Sequence, residues 1–362
     1  MDFDALGRRD FLAGSGGLFL CTLAGQKLPL DEQADVEKLA AELEAPPKVA
    51  EAGRAGDSSG EAVLAAQGDA TPEQRAAAPR AISGAREYWI KAEPRRWNPV
   101  PTGRDQMMNK KVRGRKFMAF GYRRYTAGFG APIGPATIPG PLIEAEVGET
   151  VIVNFQNLLP SPVTMHPHGI FYTADMDGAY KGKFTDPGGF VQRGKTFRYV
   201  WEATPGTEGA WLYHDHGPLD PLPLYRGLFG PLIVRPEGAP RPDREFFLFL
   251  HDLTPVATGG SRVYSCVNGR AYAGNTPTLR TRVGEKVAMY VYGIDNNFHT
   301  FHLHGHRWTD PNGGQVVDNV TLGPGDVITV PFVEDNPGRW FYHCHVFSHL
   351  HAGMNGWYLV DP

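Results

Sequence analysis

The chain has 362 residues, with 36 basic residues against 39 acidic ones and a net charge of −3. A chain with so little net charge lacks the basic excess expected for binding nucleic acid or an anionic membrane surface. Only three cysteines are present, which excludes a disulfide framework, and no apolar run approaches the roughly 20 residues of a membrane-spanning helix.

The N-terminus has the features of an export signal. Arg8 and Arg9 form a twin-arginine motif, and an apolar stretch follows from Ala13 to Ala24. We therefore predict a twin-arginine signal peptide over residues 1–25 and a secreted or periplasmic protein. The alternative is an ordinary basic N-terminus before a short helix. Residues 26–85 are rich in Ala, Glu, Gly and Pro, which predicts a disordered or weakly helical leader.

Two similar blocks follow the leader. In each, short β-rich runs alternate with Gly and Pro turns, and a Trp-X-Tyr-His-X-His strand precedes an apolar closing strand. These two histidine strands are Trp211 to His216 and Trp340 to His345. The duplication predicts an all-β protein with one β-sandwich in each block. The predicted blocks are residues 86–236 and 237–362, joined by a short proline-rich stretch.

Twelve of the thirteen histidines fall into four clusters, and each cluster contains a His-X-His pair. Residues two apart on a strand point to the same face, so each pair can present two imidazoles side by side. The pairs are His166 and His168, His214 and His216, His302 and His304, and His343 and His345. Imidazole binds copper, zinc, iron and nickel, so the pairs alone leave the metal open.

Cys344 lies in the middle of the last pair, and its side chain points to the opposite face of that strand. There it can join His299, His349 and Met354. Two imidazoles, one thiolate and a weak thioether are the ligands of a blue-copper electron-transfer site. Cys344 and its adjacent peptides would give electrons a short covalent path to the two neighbouring histidines.

With these motifs the sequence resembles the multicopper oxidases from about Tyr88 to Pro362, and within them it is most similar to the bacterial two-domain (small) laccases. There are two blocks rather than three, and Asp215 occupies the position in the first block where a blue-copper cysteine would stand. The resemblance implies two cupredoxin-like Greek-key β-sandwich domains, with type 1 copper in the second domain only.

The resemblance also implies four copper ions per active unit and a ligand set for each. The type 1 copper would be bound by His299, Cys344, His349 and Met354. The type 2 copper would be bound by His166 and His302. One type 3 copper would be bound by His168, His214 and His345, and the other by His216, His304 and His343. The type 2 and type 3 ions would form the cluster that reduces dioxygen to water.

The implied reaction is the oxidation of phenolic or similar small reductants, coupled to the four-electron reduction of dioxygen. Electrons would enter one at a time near the exposed edge of His349 and pass through Cys344. Asp177 is our candidate proton donor and Asp215 a weaker one, and a turn or strand-edge role is the alternative for both. We expect Tyr172 and Cys266 to serve core packing, with a place near the cluster as the alternative for Tyr172.

Other functions remain open. A copper nitrite reductase also has two such domains, but it would not need eight paired imidazoles. A copper carrier tends to use exposed Met or Cys clusters, whereas the eight methionines here are scattered. A cuprous or ferrous metallo-oxidase would keep the chemistry, and the lack of a methionine-rich insert favours organic substrates over it. We expect His251 in the core or at the surface, and His306 and His351 around the ligands or at the surface.

The eight paired histidines divide evenly between the blocks, so their cluster must lie where a first domain meets a second. The linker between Arg235 and Arg244 is short, and a head-to-tail ring of three chains would pair first and second domains of neighbouring chains. The small laccases that this sequence resembles are trimers of that kind. We therefore expect a homotrimer that takes a small-molecule reductant and dioxygen and binds neither nucleic acid nor membrane, with a monomer as the alternative.

Overall fold

The structure, a computed structural model, describes residues 84–219, 221–310 and 313–362. The predicted signal peptide (1–25) and almost all of the predicted leader (26–85) lie outside the described residues. The last two leader positions, Gly84 and Ala85, belong instead to the first strand, because they pair in parallel with Glu149 and Thr150. The first sandwich therefore starts at least two residues before the predicted boundary.

The first half of the chain forms two four-stranded sheets with a common core. Its strands are β1 Gly84–Trp97, β2 Arg104–Asp105, β3 Lys110–Lys111, β4 Phe117–Tyr125, β5 Ile143–Glu146, β6 Glu149–Asn157, β7 His166–Pro167, β8 Thr196–Glu202, β9 Gly209–His214 and β10 Phe229–Arg235. The strand orders are β4-β1-β6-β8 and β5-β10-β9-β7, and among the described strands β2 pairs only with β3. Alternating buried residues such as Val151, Val153 and Phe155 fill the space between the sheets.

The second half forms a four-stranded and a five-stranded sheet around its own core. Its strands are β11 Arg244–Leu253, β12 Tyr264–Val267, β13 Leu279–Arg282, β14 Lys286–Gly293, β15 His299–Leu303, β16 Trp308–Thr309, β17 Val316–Val317, β18 Asn319–Leu322, β19 Val327–Val333, β20 Gly338–His343 and β21 Asn355–Asp361. The orders are β12-β11-β14-β19 and β13-β21-β20-β15-β18.

The helices in the described part are all short. They are α1 Leu222–Tyr225, α2 Pro255–Thr258 and α3 Phe347–Ala352, together with a 3₁₀ turn at Ala127–Phe129. Helix α3 is followed by Gly353, whose left-handed φ of 118° turns the chain into β21. Among the described residues, no helix has the length and apolar character needed to span a bilayer.

The strand orders confirm the predicted duplication and the all-β, cupredoxin-like fold. Each half has two parallel pairs, β1 with β6 and β5 with β10 in the first, and β11 with β14 and β13 with β21 in the second. The same partly buried hydrogen bond also occurs in each half. Tyr213 donates to the carbonyl oxygen of Pro141 and Tyr342 to that of Pro277, each at 2.6 Å.

An aromatic interface joins the two sandwiches within the chain. Phe229 of β10 lies 5.1 Å from Phe249 of β11, which stacks in turn on Tyr292 at 4.1 Å between ring centroids. The Trp97 indole nitrogen donates across the interface to the carbonyl oxygen of Gly269 at 2.5 Å. Burial of these large rings fixes the two sandwiches against each other, because each aromatic side chain removes a large apolar area from water.

Candidate metal centre

Four imidazoles gather at one edge of the first sandwich. Strand β7 pairs with β9 so that His166 lies directly opposite His214. The ring of His166 lies 5.1 Å from that of His168, 5.4 Å from that of His214 and 5.3 Å from that of His216. The Nε2 atoms of His168 and His214 are 3.0 Å apart. We call this set of four histidines the first half-site.

The second sandwich repeats the arrangement, which we call the second half-site. His302 of β15 lies opposite His343 of β20. The ring of His302 lies 5.0 Å from that of His304, 5.2 Å from that of His343 and 5.6 Å from that of His345. The Nε2 atoms of His304 and His343 are 3.1 Å apart. Among the described residues, each group of three side chains close enough to share a metal ion draws on one sandwich only.

Main-chain carbonyl groups orient four of these rings. A carbonyl oxygen only accepts hydrogen bonds, so a ring Nδ1 facing one must carry the proton and leave Nε2 with its lone pair. This occurs for His166 with Asp177, His214 with Asp215, His302 with Asp318 and His343 with Cys344, at 2.7 to 2.9 Å. Such contacts fix the tautomer of a metal-binding histidine.

Burial also keeps half-site histidines in the neutral form that binds metal. It lowers the pKa of His168 to about 4, that of His214 to about 3 and that of His343 to about 4. At neutral pH these rings carry no proton on the free nitrogen, so a cation does not have to displace one.

A second kind of site, which we call the thiolate site, adjoins the second half-site. The ligand atoms of His299, Cys344 and His349 all lie within 4.8 Å of one another, and the Cys344 Sγ is 3.7 Å from Nδ1 of His349. Burial acts to raise the pKa of the Cys344 thiol, but the adjacent imidazoles of His299 and His349 lower it to about 6. A thiolate at neutral pH is the form that binds metal.

The fit of a metal ion to this thiolate site is clearest at His299. Its Nδ1 is buried and has no hydrogen-bond partner in the described part of the chain, whereas its Nε2 contacts Asp295 Oδ1 at 3.0 Å. A buried polar atom without a partner is costly, and a metal ion would satisfy it. Met354 is fully buried, and its carbonyl oxygen accepts from the Cys344 amide at 3.0 Å.

The two candidate proton donors have different surroundings. Asp177 Oδ1 lies 3.0 Å from Nδ1 of His166, and its Oδ2 lies 2.8 Å from Lys181 Nζ. Burial acts to raise the pKa of Asp177, but Lys181 and His166 bring it below the usual value. Asp215 is fully buried, and its Oδ1 accepts from the Thr164 amide at 2.7 Å. Asp177 therefore touches the first half-site directly, whereas the hydrogen bond that Asp215 accepts from Thr164 holds two chain segments together.

The remaining sequence predictions concern single residues. Tyr172 packs against the core of the first sandwich, with its ring 6.0 Å from that of His166. Cys266 and His251 are buried, which confirms the packing role of the first and the core option for the second. His351 is exposed, whereas the buried His306 donates to the carbonyl oxygen of the ligand candidate His304 at 2.8 Å.

The sequence reasoning missed two buried carboxylates that support these sites. Asp295 contacts His299, and Glu334 Oε1 lies 3.0 Å from Nε2 of His306. Burial acts to raise the pKa of Asp295, but its hydrogen bond with His299 brings it below the usual value. The only signal in the sequence is that Asp295 precedes His299 by four residues; nothing marks Glu334, which is 28 residues from its partner.

Comparisons with known proteins agree with this geometry. Residues 135–239 and 250–362 match two family models that are both described as multicopper oxidase. A probable nitrite reductase-hydroxylamine oxidoreductase fusion protein of Kuenenia stuttgartiensis is 33% identical over 243 residues, covering 62% of this chain and 28% of that protein. Ferroxidase HEPHL1 of Homo sapiens is 29% identical over 346 residues, covering 76% of this chain and 29% of its own length.

The chain thus spans less than a third of the length of these two curated relatives. Among solved structures, one described as a multicopper oxidase superposes with a TM-score of 0.62 at 24% identity. The match covers 76% of this chain and 89% of that one. At this level of identity the match supports the fold, and the substrate has to be inferred from the site.

Proposed function

This chain belongs to the multicopper oxidase family, and from that premise we propose that it is a laccase-type oxidase acting on phenolic or similar small reductants. The observation that carries the proposal is the position of Cys344. Its thiolate faces His299 and His349, while its chain neighbours His343 and His345 belong to the second half-site. An electron-accepting site is therefore joined by peptide bonds to a site built for several metal ions.

We assign a separate role to each group of residues in the two kinds of site. Four copper ions, one type 1, one type 2 and two type 3, would supply one-electron chemistry at the thiolate site and dioxygen reduction at the imidazole cluster. We assign type 1 to His299, Cys344, His349 and Met354, and the other three ions to the two half-sites. The half-buried His349 presents an edge to the donor, and Asp177 is placed to exchange a proton at the first half-site.

We also propose that the chain is exported and assembles as a homotrimer with a cluster at each contact between chains. Support for the trimer comes from the half-sites, each of which gathers four imidazoles on one sandwich. A head-to-tail ring would bring each first half-site onto the second half-site of the next chain. Support for export comes from the Arg8-Arg9 motif and the apolar stretch after it.

The proposal is tested first at Cys344. Copper-loaded wild type should be blue and should consume dioxygen with 2,6-dimethoxyphenol, because a cupric thiolate absorbs in the visible range. Cys344→Ser should lose both properties and keep its circular dichroism spectrum, since a small side chain is replaced by another of similar size. A blue or fully active Cys344→Ser protein would refute the assignment.

A second candidate, a ferrous or cuprous oxidase, is favoured by the relative named as a ferroxidase. The two candidates are separated by comparing kcat/KM for 2,6-dimethoxyphenol, ferrous ion and cuprous ion on one copper-loaded sample. A laccase should prefer the phenol, and a preference for either metal ion would replace the phenol proposal. Nitrite reduction without dioxygen, which the name of the Kuenenia relative suggests testing, should be absent.

A further inference from the structure

A short segment of the first half of the chain lies on the second sandwich. Between β1 and β4 the chain forms the two-stranded ribbon β2–β3, and we call residues 99–116 the basic hairpin. Several hydrogen bonds fasten it to the second half, among them Gln106 N to Ala273 O at 3.0 Å, Tyr264 OH to Arg113 O at 3.0 Å and Arg115 Nη2 to Gly259 O at 2.6 Å. The hairpin is therefore anchored to both sandwiches, by its connections to β1 and β4 in the first and by these hydrogen bonds to the second.

The charge of the basic hairpin differs sharply from that of the whole chain, which is −3. Its six basic side chains are all exposed, and they are Arg104, Lys110, Lys111, Arg113, Arg115 and Lys116. Its one acid, Asp105, is buried and accepts from the amides of Met107 and Met108 at 2.9 and 3.3 Å. No described carboxylate forms an ion pair with any of the six cations.

The basic hairpin lies beside the residues that carry the electron-entry histidine. Its Gln106 bonds Ala273, and the adjacent Tyr272 amide donates to the carbonyl oxygen of Gly353 at 2.7 Å. The Gly353 amide donates in turn to the carbonyl oxygen of His349 at 3.0 Å. Tyr272 adopts a left-handed φ of 71°, which is unusual for a residue with a side chain and indicates that these contacts hold the loop firmly.

We propose that the basic hairpin is the docking surface for an acidic electron-donor protein. The inference rests on the proposed function, in which His349 receives electrons. Each reduced donor would lose one electron, and four electrons with four protons would convert one dioxygen to two waters. Unneutralised surface charge accelerates encounter with an oppositely charged partner and orients it, here toward the side of the molecule that holds His349.

The shape of the surface favours a protein over a small anion. The cations stand on exposed strands and on the segment that follows them, so no small molecule can contact them all. Met108, between β2 and β3, is 57% exposed and offers an apolar contact among the charges. An apolar centre with a charged rim is typical of protein–protein interfaces.

The test is a comparison of electron donors on the copper-loaded full chain. Lys110→Gln/Lys111→Gln/Arg113→Gln removes three charges whose side chains form no hydrogen bond or ion pair among the described residues. With reduced acidic plastocyanin at low salt, we expect kcat/KM to fall about fivefold or more in the variant. The wild-type value should fall by a similar factor at roughly 300 mM salt, where surface charges are screened.

Matched controls separate docking from other effects. Arg193→Gln/Lys195→Gln/Arg198→Gln removes three exposed charges at and just before β8, the opposite edge of the sheet that contains β4, and should retain the wild-type rate with plastocyanin. Both triple variants should oxidise the neutral donor 2,6-dimethoxyphenol at the wild-type rate. A reduced basic cytochrome c should be a poorer donor than plastocyanin and should be insensitive to the hairpin variant.

Several results would overturn the inference. An unchanged plastocyanin rate in the hairpin variant would do so while leaving the oxidase proposal intact, and so would an equal loss with dimethoxyphenol. Loss of binding to anionic phosphatidylserine vesicles, with the plastocyanin rate retained, would identify the surface as a membrane contact instead. A wild-type protein that oxidises no donor at all would remove the proposed function, and this inference with it.

Discussion

At the scale of single residues, Cys344 is in contact with ligand candidates of both kinds of site. Its Sγ lies 3.7 Å from Nδ1 of His349, and its carbonyl oxygen accepts from Nδ1 of His343 at 2.9 Å. Cys344 is thus connected to the second half-site both by covalent bonds and by a hydrogen bond that its main-chain carbonyl oxygen accepts from His343. Replacing the side chain removes the metal-binding atom but leaves the main-chain contact that orients His343.

Met354 provides a prediction about the reduction potential of the thiolate site. Its amide donates to the carbonyl oxygen of His349 at 3.0 Å, so the residue is anchored through its main chain beside the proposed ligands. A weak thioether ligand favours the cupric state relative to no ligand. Met354→Leu, which keeps the side-chain volume, should therefore raise the reduction potential, as measured by redox titration of the blue absorbance.

The matched control for this substitution is Met289→Leu. Met289 is equally buried in the core of the same sandwich, but it lies on β14, in the other sheet from the histidine strands β15 and β20. Met289→Leu should leave the reduction potential unchanged. It should lower the free energy of unfolding by about as much as Met354→Leu does, by less than about 1.5 kcal/mol. A lower potential in Met354→Leu, or an equal shift in both variants, would count against Met354 as a ligand.

Sequence reasoning at this scale identified residues by spacing, but it could not identify the partners that orient them. The His-X-His pairs were predictable because strand geometry places residues two apart on one face. The contacts of Asp295 with His299 and of Glu334 with His306 were not predictable, because carboxylates are common and their partners come from loops and strands that meet only in the folded chain. The ligand roles of the histidines and of Met354 remain predictions until metal is measured.

At the scale of elements, a glycine after the first His-X-His pair of each sandwich lets an indole ring pack against the turn. Gly169 follows His168 with φ of 71°, and an added Cβ would lie 1.9 Å from Cδ2 of Trp211. Gly305 follows His304 with φ of 74°, and an added Cβ would lie 2.7 Å from Cζ3 of Trp340. The duplicated sandwich therefore uses the same close approach twice to position a half-site histidine.

Gly169→Ala should consequently disturb both stability and metal binding. The left-handed backbone and the clash with Trp211 should together lower the free energy of unfolding by about 2–4 kcal/mol. Displacement of the adjacent His168 should reduce the copper content of the protein. Urea denaturation of the metal-free protein and elemental analysis of the copper-loaded protein measure the two effects separately.

Gly134→Ala is the control for the backbone contribution alone. Gly134 has the same φ of 71°, but no atom lies within 4 Å of the position that its Cβ would occupy. This variant should lose only about 1–2 kcal/mol and bind copper as the wild type does. Equal losses of stability and copper in the two variants would show that the Trp211 contact does not position His168.

Element-scale predictions succeeded where the pattern repeats and failed where it does not. The two sandwiches were predictable because strands such as β9 and β20 carry the same motif with the same alternation. The ribbon β2–β3 was not predicted, since strands of two residues have no periodicity to read. Its place on the second sandwich depends on hydrogen bonds to residues more than a hundred positions away, such as that from Tyr264 to Arg113.

At the scale of the whole molecule, the relation between the two half-sites decides how the oxidase would assemble. The interface around Phe229 and Phe249 already fixes one sandwich against the other in each chain. The linker adds to this, because the buried Arg235 bonds both Glu144 of the first sandwich and Glu245 of the second at 2.8 and 2.9 Å. Because bidentate contacts of a guanidinium with a carboxylate are geometrically specific, the buried Arg235 helps to fix the relative position of the two sandwiches.

The trimer proposal can be tested by complementation between two inactive variants. His166→Ala/His168→Ala removes ligands from the first half-site, and His302→Ala/His304→Ala removes them from the second. In a ring, each cluster would combine the first sandwich of one chain with the second of the next. Random reassembly of an equal mixture would therefore give an intact cluster at about one contact in four, and about a quarter of wild-type activity.

Either variant reassembled alone should stay inactive, because every cluster then lacks the same two ligands. Sedimentation of the active species should give the mass of three chains. A fully active, copper-loaded monomer, or a mixture that recovers no activity although trimers form, would place the cluster within one chain.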